Sequence, residues 1–275
     1  TGVGAADLAS VRVDVYNSLD QYVAGGYSDA TGVYTTSPGL PSGGYRVSFS
    51  GAYTYLDEHY HDSPDRESAD VVTVTAPTLL DNIDAQLEPG GVITGVVTSA
   101  STGLPLPSIS VYASGDGGSD QDYTDSNGLY ELVGLGSGTY GVEARPTFDE
   151  NLISTPQTAT VTVPAATTGV DFSMTEGGTL TGQVTAPGGT PLDNITVYVG
   201  GITVDYGNYV STDATGTYTA TGLPSGDYYV HFRPSDDYVS EVYNDRDPEG
   251  DARDLVSVTA PGTVTGIDGG LKHGR

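Results

Sequence analysis

One pair of phrases recurs three times in this chain, and its spacing limits the folds open to it. Each copy has an Asp-x-x-Gly-x-Tyr phrase followed by a Leu-x-Ser-Gly-x-Tyr phrase. The Asp and the Leu lie 11, 10 and 10 residues apart in the three copies. Such regular spacing is the signature of a tandem array. The residues of the first phrase are Asp29, Gly32, Tyr34, Asp125, Gly128, Tyr130, Asp213, Gly216 and Tyr218.

The array divides the 275 residues into three predicted modules, 1–88, 89–175 and 176–275. About 90 residues per module is enough for one β-sandwich core. The last apolar residue of one module and the first strand of the next are separated by only a few residues, so we expect little bending between modules. We therefore predict three sandwich modules in an extended rod.

The apolar pattern favours strands throughout the chain. Residues 11–15, 109–112 and 195–199 occupy equivalent places in the three modules and alternate apolar with polar residues, as half-buried strands do. Glycine (39 residues), proline (16) and tyrosine (20) are abundant, which is typical of strands joined by tight turns. The predicted fold class is all-β, with Ig-like sandwiches.

The two ends of the chain differ from the interior of the array. Modules two and three open with a predicted first strand, whereas module one has only Thr1-Gly2-Val3 at that place. We predict that module one lacks most of this strand, which leaves a sheet edge without a partner. Copies of the chain, or adjoining modules of a longer array, would then meet head to tail. The predicted assembly interface is Thr1, Gly2, Val3, Leu271, Lys272, His273, Gly274 and Arg275.

The charge excludes some partners and favours one location. There are 36 acidic and 9 basic residues, a net charge of −27. Such a surface repels nucleic acid and anionic membranes. No apolar run of 18 residues is present, so we expect no membrane insertion. The composition suits an extracellular or cell-surface protein in a cation-rich medium.

Chemistry-bearing motifs are sparse. No nucleophile elbow, HExxH, P-loop or dinucleotide phrase occurs, so we predict no catalytic residues and no enzyme activity. Carboxylates at equivalent places in modules one and three are candidate Ca²⁺ ligands, because calcium prefers hard oxygen ligands. They are Glu58, Asp62, Glu241 and Asp245. Asn194 lies in the single glycosylation sequon, and the tyrosine-rich surface is a candidate for stacking sugars.

The repeated phrases resemble those of the carboxypeptidase regulatory-like repeat. The resemblance covers nearly the whole chain and rests on Thr-Asp-x-x-Gly-x-Tyr, Leu-Pro-x-Gly-x-Tyr and the opening Ile/Leu-Thr-Gly-x-Val. It implies a transthyretin-like sandwich of seven strands, common in secreted and surface-anchored bacterial proteins. For function it implies an accessory or structural module rather than a catalyst.

Three functions remain open at this point. The first is a non-catalytic stalk or fibre subunit, assembled by β-strand complementation. The second is an adhesin array that binds carbohydrates or receptors. The third is an accessory segment of a larger secreted enzyme.

Overall fold

The protein consists of strands and loops. In the computed structural model, the described residues contain 23 strands and no helix, which confirms the predicted all-β class. None of these residues forms a helix able to cross a membrane. The structure describes residues 1, 7–63, 65–146, 150–234, 237–244 and 253–274. Four residues of the predicted sites lie outside them: Gly2, Val3, Asp245 and Arg275.

Module one forms a single antiparallel sheet in the described residues. Its strand order is β2-β1-β3-β4, and β5 also pairs with β3. The strands are β1 (Arg12–Tyr16), β2 (Tyr22–Tyr27), β3 (Gly43–Ser50), β4 (Glu58–His59) and β5 (Val72–Val74).

Module two forms two sheets. One has the order β12-β10-β7-β8, and the other is built on β6, which pairs with β9, β13 and β14; β11 lies on the far side of β14. The strands are β6 (Gly91–Ser99), β7 (Ser110–Gly115), β8 (Gly118–Tyr123), β9 (Leu129–Leu135), β10 (Gly138–Arg145), β11 (Leu152–Ile153), β12 (Gln157–Val161), β13 (Ala166–Thr167) and β14 (Phe172–Glu176).

Module three repeats this plan. One sheet has the order β17-β16-β19-β20 with β21 also on β19, and the other is built on β15, which pairs with β18, β22 and β23. The strands are β15 (Gly178–Thr185), β16 (Thr196–Gly201), β17 (Gly207–Ser211), β18 (Thr217–Leu223), β19 (Gly226–Arg233), β20 (Glu241–Val242), β21 (Val256–Val258), β22 (Thr263–Val264) and β23 (Gly269–Gly270).

Each module has its own apolar core. The buried residues form three clusters, which lie within residues 11–87, 93–174 and 180–271. The alternation in β6 and β15 places Ile93 and Leu180 in these clusters with no exposed surface. Burial of one such side chain stabilises the fold by about 1.5–3 kcal/mol. The predicted module boundaries remain predictions, but no cluster extends across them.

Module one departs from the predicted sandwich. Its segments 33–36 and 83–86 correspond to parts of β9 and β14 in module two, yet neither is a strand in the structure. In modules two and three these segments pair with a first strand that lies between them. No strand occupies that place among the described residues of module one. Among the described residues, the second sheet of module one therefore has no central member. The last segment of the module, 83–87, is not a strand; we call it the closing segment, as we call its equivalents 170–174 and 267–271.

The repeated turn phrase has the same geometry three times. The glycines Gly32, Gly128 and Gly216 have φ angles of 74°, 73° and 73°, a region that favours glycine. The preceding aspartate accepts backbone hydrogen bonds across the turn. In module two, Asp125 accepts from the Asn127 amide at 2.7 Å and from the Leu129 amide at 2.9 Å. These bonds hold the pKa of the Asp125 carboxyl below its ordinary value.

We predict that Asp125→Asn lowers the melting temperature at neutral pH. The pKa of Asp125 is depressed in the folded protein, so its contribution is present above the unfolded pKa of about 3.9 and is lost as pH falls below it. Thermal melts at pH 7 and pH 3 should therefore show a difference between variant and parent that shrinks in acid. Asp193→Asn, at an exposed position, is the control. A constant difference across this pH range would contradict the account.

Candidate functional site

The first strand is the central structural element of modules two and three. Strand β6 runs antiparallel to β9 on one side and parallel to β13 and β14 on the other. Its inward side chains, Ile93 and Val97, have no exposed surface. Strand β15 of module three has the same neighbours in the same directions.

A glycine lets this strand pass beneath a tyrosine. The Tyr130 hydroxyl donates a 2.6 Å hydrogen bond across β6 to the Val170 carbonyl oxygen. A Cβ atom on Gly95 would lie 2.0 Å from that oxygen and 2.9 Å from the Tyr130 ring, so no larger residue fits. Burial raises the pKa of Tyr130, which keeps the hydroxyl protonated as a donor. Module three repeats the arrangement with Gly182, Tyr218 and Ile267.

An aspartate in the closing segment also holds the strand. The Asp171 carboxylate accepts a 2.9 Å hydrogen bond from the Val96 amide. In module three, the Asp268 carboxylate accepts a 2.8 Å hydrogen bond from the Gln183 amide. Each donor is the residue directly after the strand glycine.

Module one retains these contacts only in part. The Tyr34 hydroxyl donates a 2.5 Å hydrogen bond to the Ile83 carbonyl oxygen, so the tyrosine bridge is formed. No described strand passes beneath it, and an open groove of about 690 Å³ lies there. Tyr34, Leu40 and Ile83 are only half-buried, whereas their counterparts in module two are 3%, 0% and 7% exposed.

A second repeated feature joins the modules. In each module, the loop that follows β3, β10 or β19 is hydrogen-bonded to the residues that follow the closing segment. The Gly90 amide donates to the Thr54 carbonyl at 2.9 Å, and the Gly177 amide donates to the Asn151 carbonyl at 3.0 Å. The third copy of this bond joins the Gly274 amide to the Asp237 carbonyl at 2.7 Å.

Two glycines meet at each internal junction. A Cβ atom on Gly90 would lie 2.5 Å from the Gly134 Cα, and a Cβ atom on Gly177 would lie 2.6 Å from the Gly222 Cα. The junction thus places backbone directly against backbone. At Gly274 the nearest described atom to a built Cβ is the Asp237 oxygen at 3.6 Å, so this glycine lacks the close glycine contact of the internal junctions.

Asn151 ties modules two and three together with its side chain. Its Nδ2 donates to the Gly177 carbonyl at 2.8 Å, and its Oδ1 accepts from the Gly222 amide at 2.7 Å. At the other junction, Tyr53 of module one lies near carboxylates of module two, and Asp120 contributes most to raising its pKa. The linker and the loop therefore both contact the following module.

We predict that Gly177→Ala weakens the junction between modules two and three by about 1–3 kcal/mol, the usual cost of overpacking. The added methyl group would press on the Gly222 backbone. Small-angle scattering should then show a wider distribution of distances within the molecule. Gly274→Ala, whose added Cβ atom would come no closer than 3.6 Å to a described atom, is the matched control. Identical scattering from Gly177→Ala and the parent would contradict the prediction.

The candidate calcium ligands have structural contacts. The Glu241 carboxylate accepts a 2.9 Å hydrogen bond from the Gly270 amide, and Glu241 is only 8% exposed. Glu58 bonds the equivalent amide, Gln86, while desolvation and then nearby Asp62 raise its pKa. No group of three or more His, Asp or Glu residues suited to a metal ion occurs among the described residues. The calcium site stays a prediction.

The calcium hypothesis has a direct test in thermal stability. Asp62, Glu58 and Glu88 line one polar hollow in module one. Calcium bound there would relieve their mutual repulsion and raise the melting temperature by mass action. Melts in excess calcium and in chelator at matched ionic strength measure this, and Glu58→Gln should remove the difference. Equal melting temperatures would dismiss the site.

The two glycan-related predictions fall on the surface of module three. Asn194 is exposed in a bend with φ of 57°, two residues before β16. On the outer face of the same sheet, the Tyr198 ring lies 4.6 Å from Tyr209 and 5.7 Å from Tyr229. The Arg253 guanidinium sits 4.4 Å from the Tyr229 ring centroid. Glycosylation and sugar binding both stay predictions.

Sequence reasoning missed the residues that hold the first strand and the junction. The strand-binding aspartates follow an aliphatic residue in every closing segment: Ile83-Asp84, Val170-Asp171 and Ile267-Asp268. That recurrence is a signal in the sequence. The junction glycines also recur, as Gly90, Gly177 and Gly274. Asn151 has no such repeated signal.

Comparisons with known proteins give only weak likenesses. No family model matches the chain, and no curated protein matches it. The resemblance to carboxypeptidase regulatory-like repeats therefore stays a prediction.

Three solved structures show the extent of the structural likeness. The Bacillus anthracis TIE protein is 16% identical over all of this chain, with a TM-score of 0.29, and the chain spans 49% of its length. GBS52, the minor pilin of Streptococcus agalactiae, is 14% identical over 67% of this chain and 97% of its own, with a TM-score of 0.36. A streptococcal ancillary pilin is 11% identical over 99% of this chain and 94% of its own, with a TM-score of 0.35. Likenesses with such TM-scores carry no conclusion about function.

Proposed function

We propose that this chain is a non-catalytic structural unit of an extracellular stalk or fibre. The supporting observation is the backbone hydrogen bond of the junction, which recurs after each of the three modules. Two copies hold modules within the chain. The third, at Lys272-His273-Gly274, has the same backbone bond, and no described glycine packs against Gly274.

The equivalent position on the other end belongs to module one. Gly39 is the counterpart of Gly134 and Gly222, the glycines that receive a linker from the preceding module. A Cβ atom built on Gly39 meets nothing within 4 Å. In the fibre, the Gly274 end of one copy docks on the Gly39 end of the next. This contact does not close on itself, so it propagates as a linear polymer.

The first strand of module one belongs to this assembly. In modules two and three the junction glycine is followed at once by the first strand, so docking and strand insertion are continuous along the chain. By analogy with modules two and three, a strand from outside residues 1–88 would complete module one in the fibre by β-strand complementation. The high negative charge keeps such a polymer soluble in a cation-rich exterior.

We predict end-to-end association of the purified chain at high concentration. Sedimentation velocity should show oligomers that grow with concentration, and negative-stain micrographs should show linear particles. Gly274→Ala should fold like the parent in dilute solution and lower the association, because its methyl group would strike the incoming glycine. Gly270→Ala, whose added Cβ meets nothing within 4 Å, is the control. A chain that stays monomeric at every concentration would refute the proposal.

A further inference from the structure

The outer face of one sheet in module three carries a row of aromatic rings. Tyr209 on β17 is paired with Tyr198 on β16, and Tyr229 lies on the next strand, β19. The Tyr198 ring centroid is 4.6 Å from that of Tyr209 and 5.7 Å from that of Tyr229. Tyr209 is 58% exposed. We call these three rings, together with the nearby Arg233 and Arg253, the tyrosine face.

Glycines let the rings lie against the sheet. A Cβ atom on Gly200 would lie 2.6 Å from the Tyr229 ring and 2.7 Å from the Tyr198 ring. A Cβ atom on Gly207 would lie 2.7 Å from the Tyr198 hydroxyl oxygen. The two glycines are partners on β16 and β17, so both strands leave the space that the Tyr198 ring occupies. The rings therefore form a shallow apolar surface.

Two positive charges lie beside this row of rings. The Arg253 guanidinium carbon is 4.4 Å from the Tyr229 ring centroid. The Arg233 guanidinium carbon is 5.9 Å from the ring centroids of both Tyr198 and Tyr209. The two arginines thus lie beside different parts of the row.

Neither guanidinium is neutralised by a carboxylate. Among the residues that the structure describes, no Asp or Glu forms an ion pair with Arg233 or Arg253. By contrast, Arg12, Arg66 and Arg145 have carboxylate partners at 2.9, 2.6 and 2.7 Å. The chain as a whole carries a net charge of −27, so the tyrosine face has a local charge of the opposite sign.

The equivalent face of module two has neither feature. The residues at the places of the three tyrosines are Tyr112, Gln121 and Gly141. Only one of these is aromatic. Arg145, the counterpart of Arg233, is paired with Glu143. The row of rings and the unpaired charge therefore occur together in module three and are both absent from the described face of module two.

His231 leaves the positive charge of Arg233 in place. It has the position that Glu143 has in module two, and its Nδ1 accepts a 3.2 Å hydrogen bond from the Arg233 Nε. Burial, and then Arg233 and Arg253, lower the pKa of His231, so the imidazole is neutral at neutral pH. The histidine thus positions the guanidinium without cancelling its charge.

We propose that the tyrosine face binds a polysaccharide that carries carboxylate groups. The apolar faces of sugar rings pack on tyrosine rings, and guanidinium groups bind carboxylates through paired hydrogen bonds. Positive charges at two places along the row favour a polymer with repeated carboxylates over a single small acid. This inference goes beyond the proposed fibre and does not depend on it.

A nucleic acid fits this arrangement less well. Proteins that bind single strands combine stacking rings with a positively charged groove that follows the phosphates. The tyrosine face has only two arginines, and the rest of a chain with 36 acidic residues opposes a densely charged ligand. At physiological ionic strength the Debye length is about 8 Å, so a sparsely charged polysaccharide interacts mainly with the arginines beside it.

The test uses a short oligogalacturonate, labelled at its reducing end for fluorescence anisotropy. It is titrated with the full chain at physiological ionic strength, in chelator so that divalent cations do not bridge carboxylates. We expect saturable binding. The methyl ester of the same oligosaccharide keeps the sugar rings and loses the charge. It should bind at least about tenfold more weakly, because hydrogen bonds between charged groups are lost.

Protein variants localise the binding. Arg233→Gln and Arg253→Gln should each weaken it about tenfold, and Tyr209→Ser should weaken it about threefold. Arg145→Gln is the matched control, because it removes the equivalent arginine of module two and should leave binding unchanged. All four variants change exposed side chains, so their melting temperatures should stay close to that of the parent.

Several outcomes would overturn the inference. They are no saturable binding, equal binding of the acid and its methyl ester, and equal weakening by Arg145→Gln and Arg233→Gln. Poly-glutamate that binds as tightly as the oligogalacturonate would show that charge alone is recognised. Oligothymidylate that binds more tightly would show that the face prefers a nucleic acid. Sedimentation and micrographs judge the fibre separately, since the tyrosine face lies outside the junctions.

Discussion

The central first strand is the constraint on which each sandwich depends. Within its sheet it pairs with a neighbouring strand along each of its two edges, and its inward side chains pack in the core. The hydrogen bond from Tyr130 to the Val170 carbonyl closes over it at Gly95. In module one, Tyr34 and Ile83 form the same bond, and the part of this module that the structure describes contains neither a strand beneath it nor a second sheet. The bond alone does not build the sheet; the strand does.

The junction and the first strand work as one unit because they are consecutive in sequence. Gly90 packs against Gly134 of the next module, and Gly91 begins β6 directly after it. No residue lies between the junction glycine and the first strand, which enters the core. A glycine pair also removes the side chains that would otherwise hold two backbones apart. The orientation of successive modules is therefore tied to the position of the strand in the sheet.

Sequence patterns predicted those features of the fold that depend on residues close together in the sequence. Strand alternation and the repeated turn phrase gave the all-β class, because side-chain period and glycine conformation act within a few residues. The role of the first strand was not predictable in this way. Its partners, such as Asp171 for the Val96 amide, lie 75 residues apart in sequence. Asn151 was missed because its two hydrogen bonds depend on a packing of modules that no single repeat encodes.

The order of strands has a mechanical consequence. The chain enters module two through β6 and leaves it through β14, and these strands are parallel neighbours, with Phe172 opposite Val97 and Met174 opposite Ser99. Tension along the chain pulls the start of one strand and the end of the other in opposite directions. The backbone hydrogen bonds between the two strands are then loaded in shear, so they bear the force together and do not break one after another. Strands β15 and β23 repeat the arrangement in module three. Each complete module can thus bear a pulling load through the same strand that completes its core.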